Sequence, residues 1–159
     1  MNLKIVSGGQ TGADRAGLDV AIKLHIVHGG WCPKGRKAVD GKIAKKYRLK
    51  EMTSSSYIAR TRQNVIDSDA SVIFYIDKAT GGTKKTILFC QEFAKDYLEI
   101  DLSDPFLTNC VILEKWFIER EQIMKDKSQF VLNIAGSRQT EKNNIYNLVF
   151  ELLEYCLKE

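Results

Sequence analysis

A short apolar run that stops at paired glycines constrains the fold of this chain more than any other feature. Residues 3–6 are followed by Gly8 and Gly9, and helical spacing of apolar residues begins near Ala13. Glycine tolerates positive φ and lets the backbone approach a ligand closely, and the N–H groups and dipole at the start of a helix attract anions. The stretch therefore predicts a strand, a glycine turn and a helix that together hold an anion. Its spacing matches neither the dinucleotide fingerprint nor a P-loop, so a turn that needs glycine for geometry alone remains the alternative.

Strand-like and helical patterns alternate along the rest of the chain. Strands are predicted over residues 3–6, 26–31, 71–76, 98–102 and 130–135, with a short edge strand over 47–52. Five helices are predicted from apolar residues at helical spacing. Three of them cover residues 13–24, 54–68 and 145–156, and another follows the glycine turn at residues 80–83. The remaining helix is predicted to begin with Asp104 as N-cap and Pro105 in the first turn, and to end near residue 125. This alternation predicts a parallel sheet with right-handed crossovers. We therefore expect residues 1–159 to form one Rossmann-like α/β domain, with about five parallel strands, helices on both faces and the strand of residues 3–6 central.

Composition narrows the class of partner. Lys and Arg exceed Asp and Glu by 24 to 20 among 159 residues, a surplus that suits a small anionic ligand and is too slight to indicate nucleic acid. No apolar run has the length of a membrane span, and the first residues do not begin a signal peptide. The four cysteines form no C-x-x-C pair, so neither zinc nor a disulfide framework is predicted, and a cytoplasmic location is expected. Cys32 lies in a polar loop and is the one cysteine with a candidate functional role.

Glycine-containing loops follow four of the predicted strands, and parallel strands place such loops on one edge of a sheet, where ligands bind. If the strand of residues 72–76 lies beside that of residues 3–6, two helix starts point at one spot and grip a phosphate with their N–H groups. The residues predicted to form this site are Gly8, Gly9, Gln10, Thr11, Gly12, Gly81, Gly82 and Thr83, with cations from Lys34, Arg36, Arg60 and Arg138 and with Trp31 stacked on a ring. Asp14 either contacts the ligand or is a carboxylate favoured by the helix dipole.

Two stretches carry a resemblance to a known family. The sequences SGGQTGADRA at residues 7–16 and GGWCPKGR at residues 29–36 closely resemble those of the putative molybdenum carrier proteins, in the YpsA-like branch of the Rossmann-like superfamily that includes the LOG proteins. Later blocks at residues 60–69, 81–86 and 133–136 are also similar to that family, although Gly136-Ser137-Arg138 stands where the family has Gly-Pro-Arg. The resemblance adds Arg15, Asn64, Thr86 and Gly136 to the predicted site.

The resemblance implies a LOG-like fold, a homo-oligomer (dimer or tetramer), and binding of a phosphorylated ligand, above all the molybdenum cofactor, which is a pterin phosphate. A nucleotide-processing hydrolase and a nucleotide-binding sensor are the alternatives, because LOG relatives include nucleotide phosphoribohydrolases.

In those hydrolases the second glycine motif resembles Pro-Gly-Gly-x-Gly-Thr-x-x-Glu and its glutamate does the chemistry, whereas residues 81–86 offer no carboxylate at that place. Hydrolysis of a glycosidic bond normally requires carboxylates, and Asp14, Asp40 and Asp69 are the remaining candidates. His25 and His28 have no third histidine with which to form a metal site. The sequence therefore favours a binding protein, with no catalytic residue and no metal ligand assigned.

Overall fold

Five parallel strands form the central sheet among residues 2–158, which the computed structural model describes. These strands are β1 (Leu3–Val6), β2 (Val27–Gly29), β7 (Ala70–Tyr75), β8 (Asp96–Asp101) and β9 (Phe130–Gly136). They lie in the order β2-β1-β9-β7-β8. The sheet confirms the predicted α/β class, and β1 lies in its interior, although β9 holds the central place.

Helices cover both faces of the sheet. They are α1 (Ala13–Lys23), α2 (Tyr57–Ile66), α3 (Gly81–Glu92), α4 (Phe106–Ile123) and α5 (Ile145–Leu157). α5 packs against α1 and α4 on one face, and α2 packs against α3 on the other. This division follows from right-handed crossovers, because the chain moves outward from β1 to β2 in one direction and from β7 to β8 in the opposite one.

Alternating side chains of the central strands fill the two cores. Val72 and Phe74 of β7 are buried in the large core beneath α1, α4 and α5, together with Leu132 and Ile134 of β9. Ile73 points to the other face, where it packs with residues of α2 and α3. Because both faces are covered, β7 and β9 are apolar almost throughout, as buried parallel strands usually are.

The residues between β2 and α2 form a small lobe, which we define as residues 31–52. Its short strands are β3 (Trp31–Cys32), which pairs with β6 (Lys50–Glu51), and β4 (Lys37–Ala38), which pairs with β5 (Gly41–Lys42). The edge strand predicted over residues 47–52 is thus reduced to β6 and pairs outside the central sheet. Cys32 is fully buried in the core of this lobe, and burial raises the pKa of its thiol. The prediction that Cys32 lies in a polar loop is therefore wrong, and its thiol packs in the core of the small lobe.

Three further expectations differ from the structure. β9 lies between β1 and β7, so the strands that precede the two glycine turns are not neighbours. α2 begins three residues later than predicted, after Ser56, whose hydroxyl accepts a hydrogen bond from the Ala59 N–H. Pro105 rather than Asp104 occupies the N-cap of α4, and no side chain caps that helix. The Asp104 N–H donates instead to the Asp101 carbonyl, in a turn that ends β8.

Candidate functional site

A cleft of about 1070 Å³ opens at the carboxyl edge of the sheet. Its walls come from one side of α2, the beginning of α3, the end of β9, the loop from β9 to α5, and residues between β1 and the first turn of α1. Ligands of open α/β sheets bind at this edge, and the volume is at the upper end of the range for small-molecule sites, roughly 300–1,000 Å³. The cleft is the candidate binding site of the protein.

The beginning of α3 faces the cleft without a side-chain cap. Thr80 is the N-cap residue and its side chain caps no N–H group of the helix, while Gly81 and Gly82 form the first two helical positions. Both glycines line the cleft, and a β-carbon built on either of them would meet no other atom within 4 Å. The first N–H groups of a helix have no partner within it and carry the positive end of its dipole. This end of α3 can therefore receive an anion directly on its backbone.

The beginning of α1 is already occupied by the protein itself. The Ala13 N–H donates to the Ser137 carbonyl at 3.1 Å, and the Gln10 N–H donates to the Asp14 carboxylate at 3.3 Å. A β-carbon on Gly12, which has a φ of +87°, would lie 2.4 Å from the Ser137 carbonyl oxygen. Gly12 is therefore needed for close packing against the segment that follows β9, and this packing covers the first helix start.

Arg60 and Asp14 form a buried pair in the wall of the cleft. The Arg60 Nη1 group donates to the Gly8 carbonyl at 2.8 Å and lies 3.3 Å from the Asp14 Oδ2 atom. Burial disfavours the ionised carboxylate of Asp14 more strongly than Arg60 favours it, and raises the pKa of Asp14 from 3.8 to about 6. Asp14 is thus a carboxyl group that changes charge close to neutral pH.

The charges that line the cleft are mainly positive. Lys78 contributes from the loop before α3, and Arg138 and Lys142 contribute from the loop between β9 and α5. Together with Arg60, these make four lining cations among residues 2–158, against the carboxylates of Asp14 and Asp77. This balance favours an anionic ligand.

The structure brings together eleven of the residues predicted for the site. Those that line the cleft are Gly8, Gln10, Asp14, Arg60, Asn64, Gly81, Gly82, Thr83, Thr86, Gly136 and Arg138. Those outside its lining are Gly9, Thr11, Gly12, Arg15, Trp31, Lys34 and Arg36.

Most of the predicted cations outside the cleft have other partners. Arg15 donates to the Gly9 carbonyl and forms a bidentate pair with Asp40 at 2.8 and 3.2 Å. Arg36 donates to four backbone carbonyls of the small lobe, those of residues 43, 44, 47 and 49. Lys34 is exposed on the same lobe. The two arginines thus hold the lobe in place.

Trp31 is fixed against α2 rather than placed over the cleft. Its indole N–H donates to Asp67 at 2.7 Å, and its backbone exchanges two hydrogen bonds with the Asn64 side chain, at 2.8 and 3.0 Å. Lys50 also lies over its ring, 5.7 Å from the centroid. The Asn64 amide therefore joins the small lobe to α2.

Several residues of the cleft were not singled out from the sequence. Tyr57 and Ile58 of α2 and Ile76 after β7 give the cleft an apolar part, which a flat ring system can contact. Asn133 lies in the floor, almost fully buried, and its amide donates to the Ser71 hydroxyl at 3.1 Å. Asn133 is the one polar residue in the apolar run of residues 130–135, and this position was the sequence signal for a role in the site. No local pattern marked Lys142 and its neighbours.

The described residues offer little for metal or carboxylate chemistry. Between residues 2 and 158, no group of three or more His, Cys, Asp and Glu side chains could hold a metal ion. Asp40 pairs with Arg15, and Asp69 pairs with Lys127 and accepts from the Val131 N–H. Asp14 and Asp77 are the two carboxylates of this part of the chain that line the cleft.

The same part of the chain contains no helix that is both long and apolar enough to cross a membrane.

Comparison with known proteins identifies a similar solved structure and a matching family model. The protein is 42% identical to a protein of known structure, the "Putative molybdenum carrier protein" from Syntrophus aciditrophicus SB, with a TM-score of 0.88. That match covers 97% of this chain and 94% of the other. The comparison with curated proteins gave no match. A model of the circularly permutated YpsA SLOG family matches residues 5–157, almost the whole chain. The protein therefore belongs to the circularly permutated YpsA SLOG family.

Proposed function

We propose that this protein binds and carries a phosphorylated small molecule, with the phosphate at the beginning of α3. The observation that carries the proposal is the uncapped helix start at Gly81 and Gly82, which faces the cleft with no atom within 4 Å of either β-carbon position. Backbone N–H groups at a helix start are a common phosphate site. The surplus of cations around the cleft supports the same class of ligand.

The rest of the cleft suits a ring system. Tyr57, Ile58 and Ile76 offer apolar surface, while Asn133 and Thr86 offer polar groups deeper in the cleft. A ligand with a planar ring and a phosphate group therefore matches the two parts of the cleft. The N–H groups of α3 would hold the phosphate, and the side chains of α2 would contact the ring.

Among such ligands we propose the molybdenum cofactor, a pterin phosphate. The support for this choice is the name of the Syntrophus protein, which shares 42% of its sequence with this chain. The cleft residues fit a pterin phosphate in charge and in the space around Gly82. The bound cofactor would supply its own molybdenum chemistry, and this chain would hold it through the beginning of α3 and the cations of the cleft.

A hydrolase that processes nucleotides is the second candidate, and one observation favours it. Asp14 lines the cleft and has a pKa of about 6, because burial outweighs the effect of Arg60, so it could donate a proton near neutral pH. Against this candidate, the segment after Gly82 has no carboxylate where LOG hydrolases have their glutamate. Binding without turnover is therefore the first choice.

The test is native mass spectrometry of the protein purified from its own cells, followed by denaturation and identification of any released compound. We expect a phosphorylated compound with a heteroaromatic ring, in a complex that the Gly82→Val variant does not form. A protein that carries no small molecule, and that binds neither phosphate nor sulfate when these are added, would contradict the proposal. The homo-oligomer implied by the resemblance stays a prediction, and the masses of the intact complexes measure it.

A further inference from the structure

Asp14 is a negative group in the wall of a cleft that is otherwise suited to anions. It is 8% exposed, and its Oδ2 atom is shared between the Gln10 N–H and the Arg60 guanidinium, each at 3.3 Å. A carboxylate at this position repels an anionic ligand. The ligand therefore either binds more weakly because of this repulsion, or Asp14 becomes neutral when the ligand binds.

Ser137 links the beginning of α1, which contains Asp14, to the beginning of α3. Its carbonyl accepts from the Ala13 N–H, next to Asp14 in sequence, at 3.1 Å. Its hydroxyl lies 3.4 Å from the Thr83 Oγ1 atom in the first turn of α3. One residue thus touches the beginnings of both helices, and Asp14 lines the same cleft as Gly81 and Gly82. A charge on Asp14 therefore faces the space in which we place the anion.

Arg60 can leave Asp14 without losing its place in the structure. Its shortest contact is with the Gly8 carbonyl at 2.8 Å, and its Nε group donates to the Tyr57 carbonyl at 3.3 Å. The contact with Asp14, at 3.3 Å, is longer than the roughly 2.7–2.9 Å of a good charge-assisted hydrogen bond. A phosphate in the cleft therefore competes with a weakly held partner.

We propose that an anion bound in the cleft takes Arg60 over from Asp14, and that Asp14 binds one proton as it loses this partner. The proton comes from the solvent and is bound by the carboxylate, so the bound complex contains a neutral Asp14 beside an Arg60–phosphate pair. No bond is made or broken in the ligand. This inference rests on the proposed function, since it concerns the same cleft.

The charges around Asp14 support this exchange. Arg60 of α2 and Arg15 of its own helix are the charged groups that favour its ionised form. Arg15 is held by Asp40, so an anion in the cleft removes chiefly the effect of Arg60. The other charged groups that line the cleft are Asp77, Lys78, Arg138 and Lys142. Burial already raises the pKa of Asp14 to about 6, and a bound anion can only raise it further.

The consequence is a ligand that binds more tightly at low pH. Below pH 6 Asp14 is mostly neutral in the empty protein, so binding needs no proton. Above pH 6 ligand binding requires Asp14 to take up a proton from the solvent, so affinity falls with pH until the pKa of Asp14 in the complex is reached. A ligand that raises this pKa by one unit binds about tenfold less tightly to the ionised form.

The test uses sulfate as the probe, because it has the charge and shape of phosphate and does not titrate near neutral pH. Amide NMR shifts of Gly81 and Gly82 in the full-length protein give its dissociation constant from pH 5 to pH 8. We expect affinity to fall about tenfold over this range in the wild type. In Asp14→Asn we expect it to stay flat at the low-pH value of the wild type, while Glu141→Gln, which removes an exposed acid of the β9–α5 loop, keeps the wild-type slope.

Each outcome decides between separate claims. Sulfate binding with the same affinity at all pH values in the wild type, or a slope that survives in Asp14→Asn, would overturn the proton exchange and leave the proposed function standing. Absence of sulfate binding at every pH would count against the proposed function itself. If Asp14→Asn does not fold, carbon NMR of the Asp14 carboxyl group in the wild type replaces it. Its pKa must then rise when sulfate is added, and an unchanged pKa refutes the proposal.

Discussion

The Arg60 side chain fills the space that a side chain on Gly8 would need. A β-carbon built on Gly8 would lie 2.0 Å from the Arg60 Nη1 atom and 2.5 Å from its Cδ atom. Arg60 is 6% exposed and reaches this position from α2, across the top of β1. The glycine turn after β1 thus makes room for an arginine of the cleft, and this close approach explains a glycine whose own φ is not positive.

Replacing Gly8 by alanine should expel Arg60 from its position. We expect Gly8→Ala to lower the free energy of unfolding by about 1–3 kcal/mol, the usual cost of overpacking, and to weaken sulfate binding because Arg60 no longer faces the cleft. Urea denaturation and sulfate titration measure the two effects. Gly82→Ala is the matched control for stability, since its β-carbon meets nothing within 4 Å. Equal stability of the two variants would contradict this account of Gly8.

Valine at position 82 should block the cleft without disturbing the fold. The β-carbon position at Gly82 is open, so the methyl groups have room beside the helix. Because helical side chains lean toward the N-terminus of their helix, we expect these methyl groups to obstruct the first N–H groups of α3. We expect Gly82→Val to show no measurable heat of pyrophosphate binding and a wild-type circular dichroism spectrum. Lys34→Ala should change affinity by less than about 0.5 kcal/mol, because Lys34 is exposed outside the cleft. Tight binding by a folded Gly82→Val protein would show that the second glycine turn is not the phosphate site.

Local patterns were enough to predict the five helices and the five strands of the central sheet, but neither the order of those strands nor the short strands β4 and β5 of the small lobe. The strand of residues 130–135 was recognisable as an apolar run, and β9 occupies residues 130–136. Its position between β1 and β7 depends on backbone pairing with residues far away in sequence, such as Val6 with Asn133 and Ser71 with Asn133. No local pattern encodes that pairing, and the condition under which the two glycine turns would follow adjacent strands is not met.

The same limit applies to the candidate site. Gly81 and Gly82 were predicted from a turn followed by a helix, and the structure places both at the cleft. Gly12 likewise lies in a turn just before a helix, but the first N–H group of that helix, which belongs to Ala13, donates to the Ser137 carbonyl. Likewise Arg36 follows a glycine in a polar loop, and only the folded lobe shows that its donors are used by carbonyl groups. Long-range partners decide which of several equivalent motifs stays available to a ligand.

Arg36 should prove to be a structural residue. Its φ is +55° and its guanidinium donates to the carbonyls of Ile43, Ala44, Tyr47 and Leu49. Arg36→Ala leaves these acceptors without their donor, so we expect a loss of about 1–3 kcal/mol in the stability of the small lobe. Hydrogen exchange of the Ile43 amide measures this loss, since that N–H donates to the Arg36 carbonyl. Lys37→Ala is the control, and equal exchange in both variants would contradict the structural role.

The protein should not hydrolyse nucleoside monophosphates at a measurable rate. Its cleft has Asp14 and Asp77 as carboxylates among the described residues, and neither follows Gly82 in the place of the hydrolase glutamate. Overnight incubation with AMP and GMP, followed by chromatography of the released bases, measures the rate. Release of base that disappears in Asp14→Asn would reverse the order of the two proposed functions.

The stability of the protein should decrease as pH rises from about 4 to about 6, because of Asp14. Burial raises the pKa of Asp14 from 3.8 to about 6, with Arg60 opposing this effect. The folded protein therefore holds a proton more tightly than the unfolded chain does. The stabilisation is complete below pH 3.8 and lost as pH passes 6, and the difference of about 2 pKa units corresponds to about 3 kcal/mol.

Asparagine at position 14 removes this titration while keeping an oxygen that can accept from Arg60. We expect the stability of Asp14→Asn relative to the wild type to increase between pH 4 and pH 6 and to stay constant above pH 6.5. Urea denaturation at half-unit steps of pH gives both curves, and Glu141→Gln controls for the loss of one acid. Because other groups titrate equally in both proteins, the difference between the curves isolates Asp14. Parallel curves would mean that the pKa of Asp14 is close to that of the unfolded chain, and that Arg60 offsets the cost of its burial.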